Sequence, residues 1–250
     1  MSSKFQILSV FVVVFCLSVA GGVKAQDQSP QGDRNLLRFG IMALAPYGFQ
    51  DNNGNWVGNL YEIADAIIAE GGFEGYSQVV PLKRLFQKDR LDCSIAGAVP
   101  FMEKNYARVA SLGQELVFGI MPLKQVTLNA YEDLKELVIA VPLGVNVGLP
   151  FDEDERLKKI EVRDYSASMR MLERERVDAA AGVINSLLFS ARIYDVDEDK
   201  FGEPLVFSSL PLNVYCERES ITRGYWDQID AAVEALKSKG EIDRIMKKYQ

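Results

Sequence analysis

Residues 45–63 have the sequence APYGFQDNNGNWVGNLYEI. An apolar, strand-like run at 36–43 precedes this stretch. A turn is predicted at 51–54, and the last residues of the 45–63 stretch begin a helix with one apolar stripe. In open α/β sheets, the loop beyond the carboxyl end of the first strand is where ligands bind. Tyr47 and Phe49 lie in this predicted loop and are candidate ligand-binding residues, although their rings can equally be buried in the core.

The rest of the chain continues to alternate predicted strands with predicted helices. This alternation predicts an α/β fold with mostly parallel sheets flanked by helices. Two such series, followed by a C-terminal segment that lacks a sheet of its own, indicate two lobes. We expect lobe 1 to contain residues 36–115 plus 208–250, and lobe 2 to contain residues 116–207.

The N-terminus has the pattern of an export signal. Lys4 provides a positive charge, and residues 5–20 are almost all apolar but too few to span a bilayer, which needs about 20 residues. Small or apolar residues before Ala25 predict cleavage near that position. We therefore expect a signal peptide at 1–25, a flexible leader at 26–35 and a periplasmic mature protein.

Composition excludes several classes of function. The sequence contains no histidine, which rules out Ser-His-Asp catalysis and every His-based zinc site. The net charge is −7, and removing residues 1–25 takes away two lysines and no acidic residue. An acidic chain is poorly suited to binding nucleic acid or an anionic membrane surface. We expect no metal site and no cofactor.

Two cysteines, Cys93 and Cys216, remain in the predicted mature chain. Export permits a disulfide between them. Each also lies in an apolar run, where a buried free thiol is common. The sequence leaves both alternatives open.

Several short motifs occur in a particular order over nearly all of the predicted mature chain. They are Pro46-Tyr47, Asp51-x-x-Gly54-x-x-x-Gly58, Asp92 before a strand that ends in Gly97, Glu132-Asp133-Leu134-Lys135, Val141-Pro142-Leu143-Gly144 and Val177-Asp178-Ala179. This arrangement resembles the family 3 periplasmic solute-binding proteins of the polar amino acid type. The resemblance implies a two-lobed periplasmic-binding-protein-like fold, each lobe a mostly parallel sheet flanked by helices, that closes over a ligand by hinge motion.

The resemblance also implies where the ligand would bind and how this chain departs from the family. The arginine that binds an α-carboxylate is replaced by Lys104, which lacks the planar fork of a guanidinium. The threonine that assists in binding the carboxylate is replaced by Val99, and the acidic residue that pairs with the α-amine is replaced by Val183. The resemblance thus implies a ligand-binding set of Tyr47, Phe49, Gly97, Val99, Lys104, Asn146 and Val183.

These departures argue against an ordinary α-amino acid, because a buried ammonium without an acid is costly. Instead, Lys104 could anchor an acidic end of the ligand, with aromatic walls from Tyr47 and Phe49 and closure by Asn146. The function implied is a monomeric, non-enzymatic substrate-binding protein that captures a small-molecule solute for an inner-membrane ABC transporter permease. The alternative is an accessory or sensor module that uses the same scaffold to bind a protein partner.

Overall fold

The computed structural model describes residues 36–85, 87, 91–218 and 224–250. The predicted signal peptide at 1–25 and the leader at 26–35 lie outside the described residues. No helix within the described part of the chain is both long enough and apolar enough to cross a membrane.

A single eight-stranded sheet, with helices packed against it, forms the framework. The strands are β1 (Leu37–Met42), β2 (Phe49–Gln50), β3 (Trp56–Val57), β4 (Gly75–Val80), β5 (Cys93–Gly97), β6 (Tyr106–Pro122), β7 (Val138–Pro142), β8 (Lys158–Val162), β9 (Ala179–Val183) and β10 (Leu205–Glu217). The order in the large sheet is β4-β1-β5-β10-β6-β9-β7-β8, and β2 pairs with β3 in a separate hairpin.

The helices follow the strands in alternation. They are α1 (Asn59–Glu70), α2 (Leu82–Leu85), α3 (Pro100–Asn105), α4 (Tyr165–Glu173), α5 (Ile184–Ile193), α6 (Trp226–Ser238) and α7 (Glu241–Lys248). The predicted α/β class is therefore confirmed. The amphipathic pattern of α1 is also confirmed, because Leu60, Ile63 and Ile67 are fully buried.

The sheet has two similar halves joined by two long strands. In the first half, β1 lies between β4 and β5 and pairs with both in parallel; in the second half, β7 pairs in the same way with β8 and β9. Strands β6 and β10 are antiparallel to each other and connect the halves. The two sheets expected from the sequence are thus continuous, because backbone pairing extends through the crossing strands. The exact lobe boundaries stay a prediction.

Cys93 and Cys216 form a disulfide. They lie directly opposite each other on the neighbouring antiparallel strands β5 and β10, and both are buried. The bond ties the C-terminal strand to the first half of the sheet. The alternative of a free thiol at these positions is therefore wrong.

The hairpin of β2 and β3 shows why residues 51–54 form a turn. The Asp51 carboxylate accepts hydrogen bonds from the backbone N–H groups of Asn53 and Asn55, each at 2.9 Å. Gly54 has a φ of 82°, a conformation that glycine adopts without strain. The turn predicted from Asp51-x-x-Gly54 is confirmed.

Candidate functional site

A cavity of about 270 Å³ opens between the two halves of the molecule. Its walls come from the carboxyl ends of β1 and β5 in the first half, and from the residues that follow β7 and end β9 in the second. In each half, the chain passes from the central strand to the strand on one side and then crosses to the strand on the other side. This reversal of direction creates a topological switch point at the carboxyl end of the central strand. Ligands of open α/β sheets bind at such points.

The first half contributes Gly97 and Val99, two residues of the predicted set. Gly97 ends β5, and a Cβ at this position would lie 3.3 Å from side-chain atoms of Leu116 and Leu210. Val99 immediately precedes α3 and is half-buried. The remaining wall on this side is formed by apolar side chains at the end of β1 and on α2.

The second half contributes Asn146 and Val183, also from the predicted set. Asn146 lies in the loop after β7 and is exposed, whereas Val183 ends β9 and is buried. The Val183 N–H donates a hydrogen bond of 3.1 Å to the Tyr165 hydroxyl at the start of α4. Asn146 and Val183 therefore face the same space as Gly97 and Val99.

Lys104 is not among the residues that line the cavity. It lies on α3 and is exposed, whereas Met102 on the same helix is fully buried. Two residues correspond to about 200° of rotation around a helix, so burying Met102 turns Lys104 outward. The structure thus does not bring the expected cation to the ligand space.

A part-buried polar contact with β10 holds α3 in this orientation. The Tyr215 hydroxyl of β10 donates to the Glu103 carboxylate at 2.5 Å and accepts from the Asn213 amide at 3.2 Å. Burial, and then the contact with Glu103, raises the pKa of Tyr215 to about 12. With Met102 and Glu103 both held, Lys104 is left on the solvent side.

Tyr47 and Phe49 also lie outside the cavity lining. Tyr47 is fully buried in the core, and burial raises its pKa well above the ordinary range. Its hydroxyl lies near Asn185 of α5 without forming a hydrogen bond of standard geometry. Tyr47 therefore takes the core position that the sequence left open for it, whereas the Phe49 ring is only half-buried.

Phe49 instead belongs to an aromatic cluster between the halves. Its ring centroid lies 5.1 Å from that of Phe189 on α5 and 6.1 Å from that of Tyr249, which follows α7. Phe189 and Tyr249 are themselves 6.3 Å apart. Edge-on contacts of this kind stabilise the packing of one half against the other.

Sequence reasoning missed several lining residues, including Leu116, Phe118, Leu210 and Tyr165. Leu116 and Phe118 are two apart on β6, so they point to one face of the strand, and Leu116 is paired with Leu210 on β10. That alternation was visible in the sequence. Tyr165 was not, because its place depends on a distant contact.

Gly182 creates the room for Tyr165. A Cβ on Gly182 would lie 2.7 Å from a ring carbon of Tyr165, and the residue has a φ of 148°. Burial raises the pKa of Tyr165 to about 12, so its hydroxyl is protonated at neutral pH. The tyrosine can thus donate a hydrogen bond to a neighbouring acceptor.

The described lining residues include no Asp, Glu, Lys or Arg. Within the described ranges, no group of three or more Cys, Asp or Glu residues is placed to hold a metal ion. The arrangement offers apolar contact and a few hydrogen bonds, a combination suited to binding a small molecule.

Comparison with known proteins found no matching family model and no matching curated sequence. Solved structures do match. A mutant of ArgBP from T. maritima has a TM-score of 0.66 at 21% identity, covering 86% of this chain and 95% of that one. An ancestral arginine-binding protein bound to arginine has a TM-score of 0.65 at 21% identity, covering 86% and 98%.

A histidine kinase sensor domain with similarity to periplasmic binding proteins also matches, with a TM-score of 0.66 at 14% identity, covering 86% of this chain and 96% of that one. At these identities, the likeness concerns the fold. The resemblance that the motifs indicated is confirmed at that level: this chain has the two-lobed α/β fold of the periplasmic amino-acid-binding proteins.

Proposed function

We propose that this protein is a binding protein that captures a small solute in the cavity between its two halves. The observation that carries the proposal is the convergence of four residues from both halves, Gly97, Val99, Asn146 and Val183, on one cavity at the carboxyl ends of the parallel strands. A ligand held by both halves would favour their closed arrangement, since it gains its full contacts only there.

The proposal places the mature protein in the periplasm after cleavage near Ala25. It acts there as a monomer that delivers its solute to an inner-membrane ABC permease, without catalysing a reaction on it. Residues 36–115 with 208–250 would form one closing lobe, and residues 116–207 the other. The motifs for export and the fold of the matched binding proteins support this role.

An ordinary α-amino acid does not fit the cavity. Lys104 is exposed on α3, and Val99 and Val183 occupy the lining where hydroxyl and acidic groups would pair with a zwitterion. Burying a charge without a partner costs several kcal/mol, roughly what a small ligand gains in total. We therefore expect the protein to reject ordinary α-amino acids, including the arginine that one matched protein is bound to.

The test is a thermal-shift screen of the mature protein against small solutes, followed by calorimetry. A solute that binds the folded state raises the melting temperature by mass action. We expect at least one solute outside the amino acids to do so, and none of the standard L-amino acids to bind at micromolar concentration. A micromolar amino acid would contradict this selectivity, and the absence of any binding solute would contradict the function.

The second candidate function is a sensor or accessory module that binds a protein partner. The match to a histidine kinase sensor domain favours it, because that protein uses a similar fold in a sensor domain. The genes beside this one discriminate between the two functions. A permease and an ATPase would favour import, whereas a kinase would favour sensing.

A further inference from the structure

We infer that the cavity takes an uncharged molecule with an apolar body and one end that accepts a hydrogen bond. This inference rests on the proposed function and narrows its ligand. It replaces the acidic end expected from Lys104, because the structure leaves that side chain outside the cavity.

The apolar body follows from the composition of the walls. Of the fifteen described lining residues, only Asn146 and Tyr165 carry polar side-chain atoms. Three further lining residues, Leu116, Phe118 and Leu210, are branched or aromatic side chains of the crossing strands β6 and β10. A ligand gains affinity here by removing apolar surface from water.

The same walls indicate that the ligand is uncharged. With no charged side chain among the described lining residues, a ligand carboxylate or ammonium would lose its hydration and find no counter-ion. An uncharged molecule of the same shape would not suffer this loss. The cavity therefore discriminates against charge whatever the sign.

The polar end follows from the hydroxyl of Tyr165. This oxygen accepts the Val183 N–H at 3.1 Å, which fixes its position and leaves its own proton for an acceptor. The Asn146 amide, at the exposed side of the cavity, can donate and accept. A hydroxyl or carbonyl oxygen on the ligand would satisfy both groups.

The size of the ligand is set by the cavity of about 270 Å³. An apolar cavity of about 150 Å³ holds one benzene ring. We therefore expect one or two rings, or a branched chain of similar bulk.

The experiment uses the mature protein and three two-ring probes of matched shape: 1-naphthylmethanol, 1-naphthoate and 1-naphthylmethylammonium. We expect the alcohol to raise the melting temperature and to bind at least about 100-fold more tightly than either ion in calorimetry, because only the ions lose hydration without a partner. Corresponding one-ring probes, benzyl alcohol, benzoate and benzylammonium, extend the series.

Val145→Asp places a carboxylate in the lining at a half-buried position, and Val206→Asp places one at an exposed position on β10 as the matched control. We expect the first variant to bind the alcohol at least about 10-fold more weakly and to gain affinity for the ammonium probe. The second should leave all affinities within about twofold. Apo melting temperatures establish that both variants are folded.

Asn146→Ala examines the polar end. This variant should bind the alcohol about 3- to 10-fold more weakly than the unmodified protein does. Its affinity for 1-methylnaphthalene, which has no polar end, should stay within about twofold. If 1-naphthoate or the ammonium probe binds the unmodified protein as tightly as the alcohol, the inference is wrong while the binding function stands. If no probe of any charge binds and the broader screen also fails, the proposed function falls with it.

Discussion

In each half of the sheet, an aspartate exchanges the same two hydrogen bonds with the central strand, but the contacts around this aspartate differ between the halves. In the first half, the Asp92 carboxylate accepts the Arg38 N–H at 2.8 Å, and the Asp92 N–H donates to the Arg38 carbonyl at 3.1 Å. In the second half, Asp178 and Val138 exchange the same two bonds, at 2.7 and 2.8 Å. Each acid directly precedes the strand that pairs with the central one.

The surroundings make the first half the more firmly fixed of the two. There, Asp92 also binds the Arg38 guanidinium, and the next residue, Cys93, is bonded to Cys216 on β10. In the second half, Val138 offers no such charge, and β9 consists of three alanines, Gly182 and Val183, with the Tyr165 ring packed over Gly182. The difference indicates that β10 is covalently anchored on the first half, whereas the second half is joined to the rest of the sheet by backbone pairing and packing.

Of the changes that test this difference between the halves, loss of the disulfide should lower the free energy of unfolding most. The bond closes a loop with a sequence separation of 123 residues, and removing it from the folded protein should lower the free energy of unfolding by about 4 kcal/mol. Urea denaturation of the Cys93→Ala/Cys216→Ala double variant measures this change, with the reduced unmodified protein as control. Equal midpoints for the double variant and the oxidised, unmodified protein would show that packing, rather than the bond, anchors β10.

The matched acids provide the next contrast. Asp92→Ala should cost about 2–3 kcal/mol, because it removes a buried carboxylate that pairs with both the Arg38 N–H and the Arg38 guanidinium. Asp178→Ala removes one backbone contact from a less buried site and should cost about 1 kcal/mol. Both are measured by urea denaturation. A larger loss for Asp178→Ala would reverse our ranking of the two halves.

Acid should weaken the second half through Asp154. The Arg156 guanidinium, bound at 2.7 Å, is the main cause that holds the pKa of this carboxyl well below its ordinary value of 3.8. A lowered folded-state pKa contributes stability above the unfolded value, and that contribution is lost as pH falls below it. Melting temperatures from pH 5 to pH 3 should therefore fall less for Asp154→Asn than for the unmodified protein. Parallel curves would contradict this assignment.

Lys104→Met should have the smallest effect. Because the side chain is exposed on α3 and outside the lining, we expect ligand affinity within about twofold of the unmodified protein. Calorimetry with the uncharged probe, beside Asn146→Ala from the second half, provides the measurement. A loss of 10-fold or more would return Lys104 to the site and favour an acidic ligand end.

The sequence predicted what depends on local pattern. The strand before Tyr47, the turn at Asp51-x-x-Gly54 and the apolar face of α1 each follow from spacing over a few residues, and the structure has all three. The positions of Gly97 and Val183 at the ends of strands were also accessible, since parallel strands end at one edge of a sheet.

What the sequence could not provide depends on contacts between distant segments. The orientation of Lys104 depends on the burial of Met102 and on the bond between Glu103 and Tyr215, more than a hundred residues apart. Similarly, Tyr165 reaches the cavity only because Gly182 leaves space for it. A resemblance transferred position by position carries the residue type but not this orientation.

The bond between Cys93 and Cys216 also determines how the folded chain would respond to a protease. Strands β7, β8 and β9, with α4 and α5, all lie between the two cysteines along the chain. A single nick anywhere in that segment produces two fragments that remain joined until a reductant is added. Fragments from a cut in the second half would therefore migrate together on a non-reducing gel, whereas a cut before Cys93 or after Cys216 would release its fragment at once.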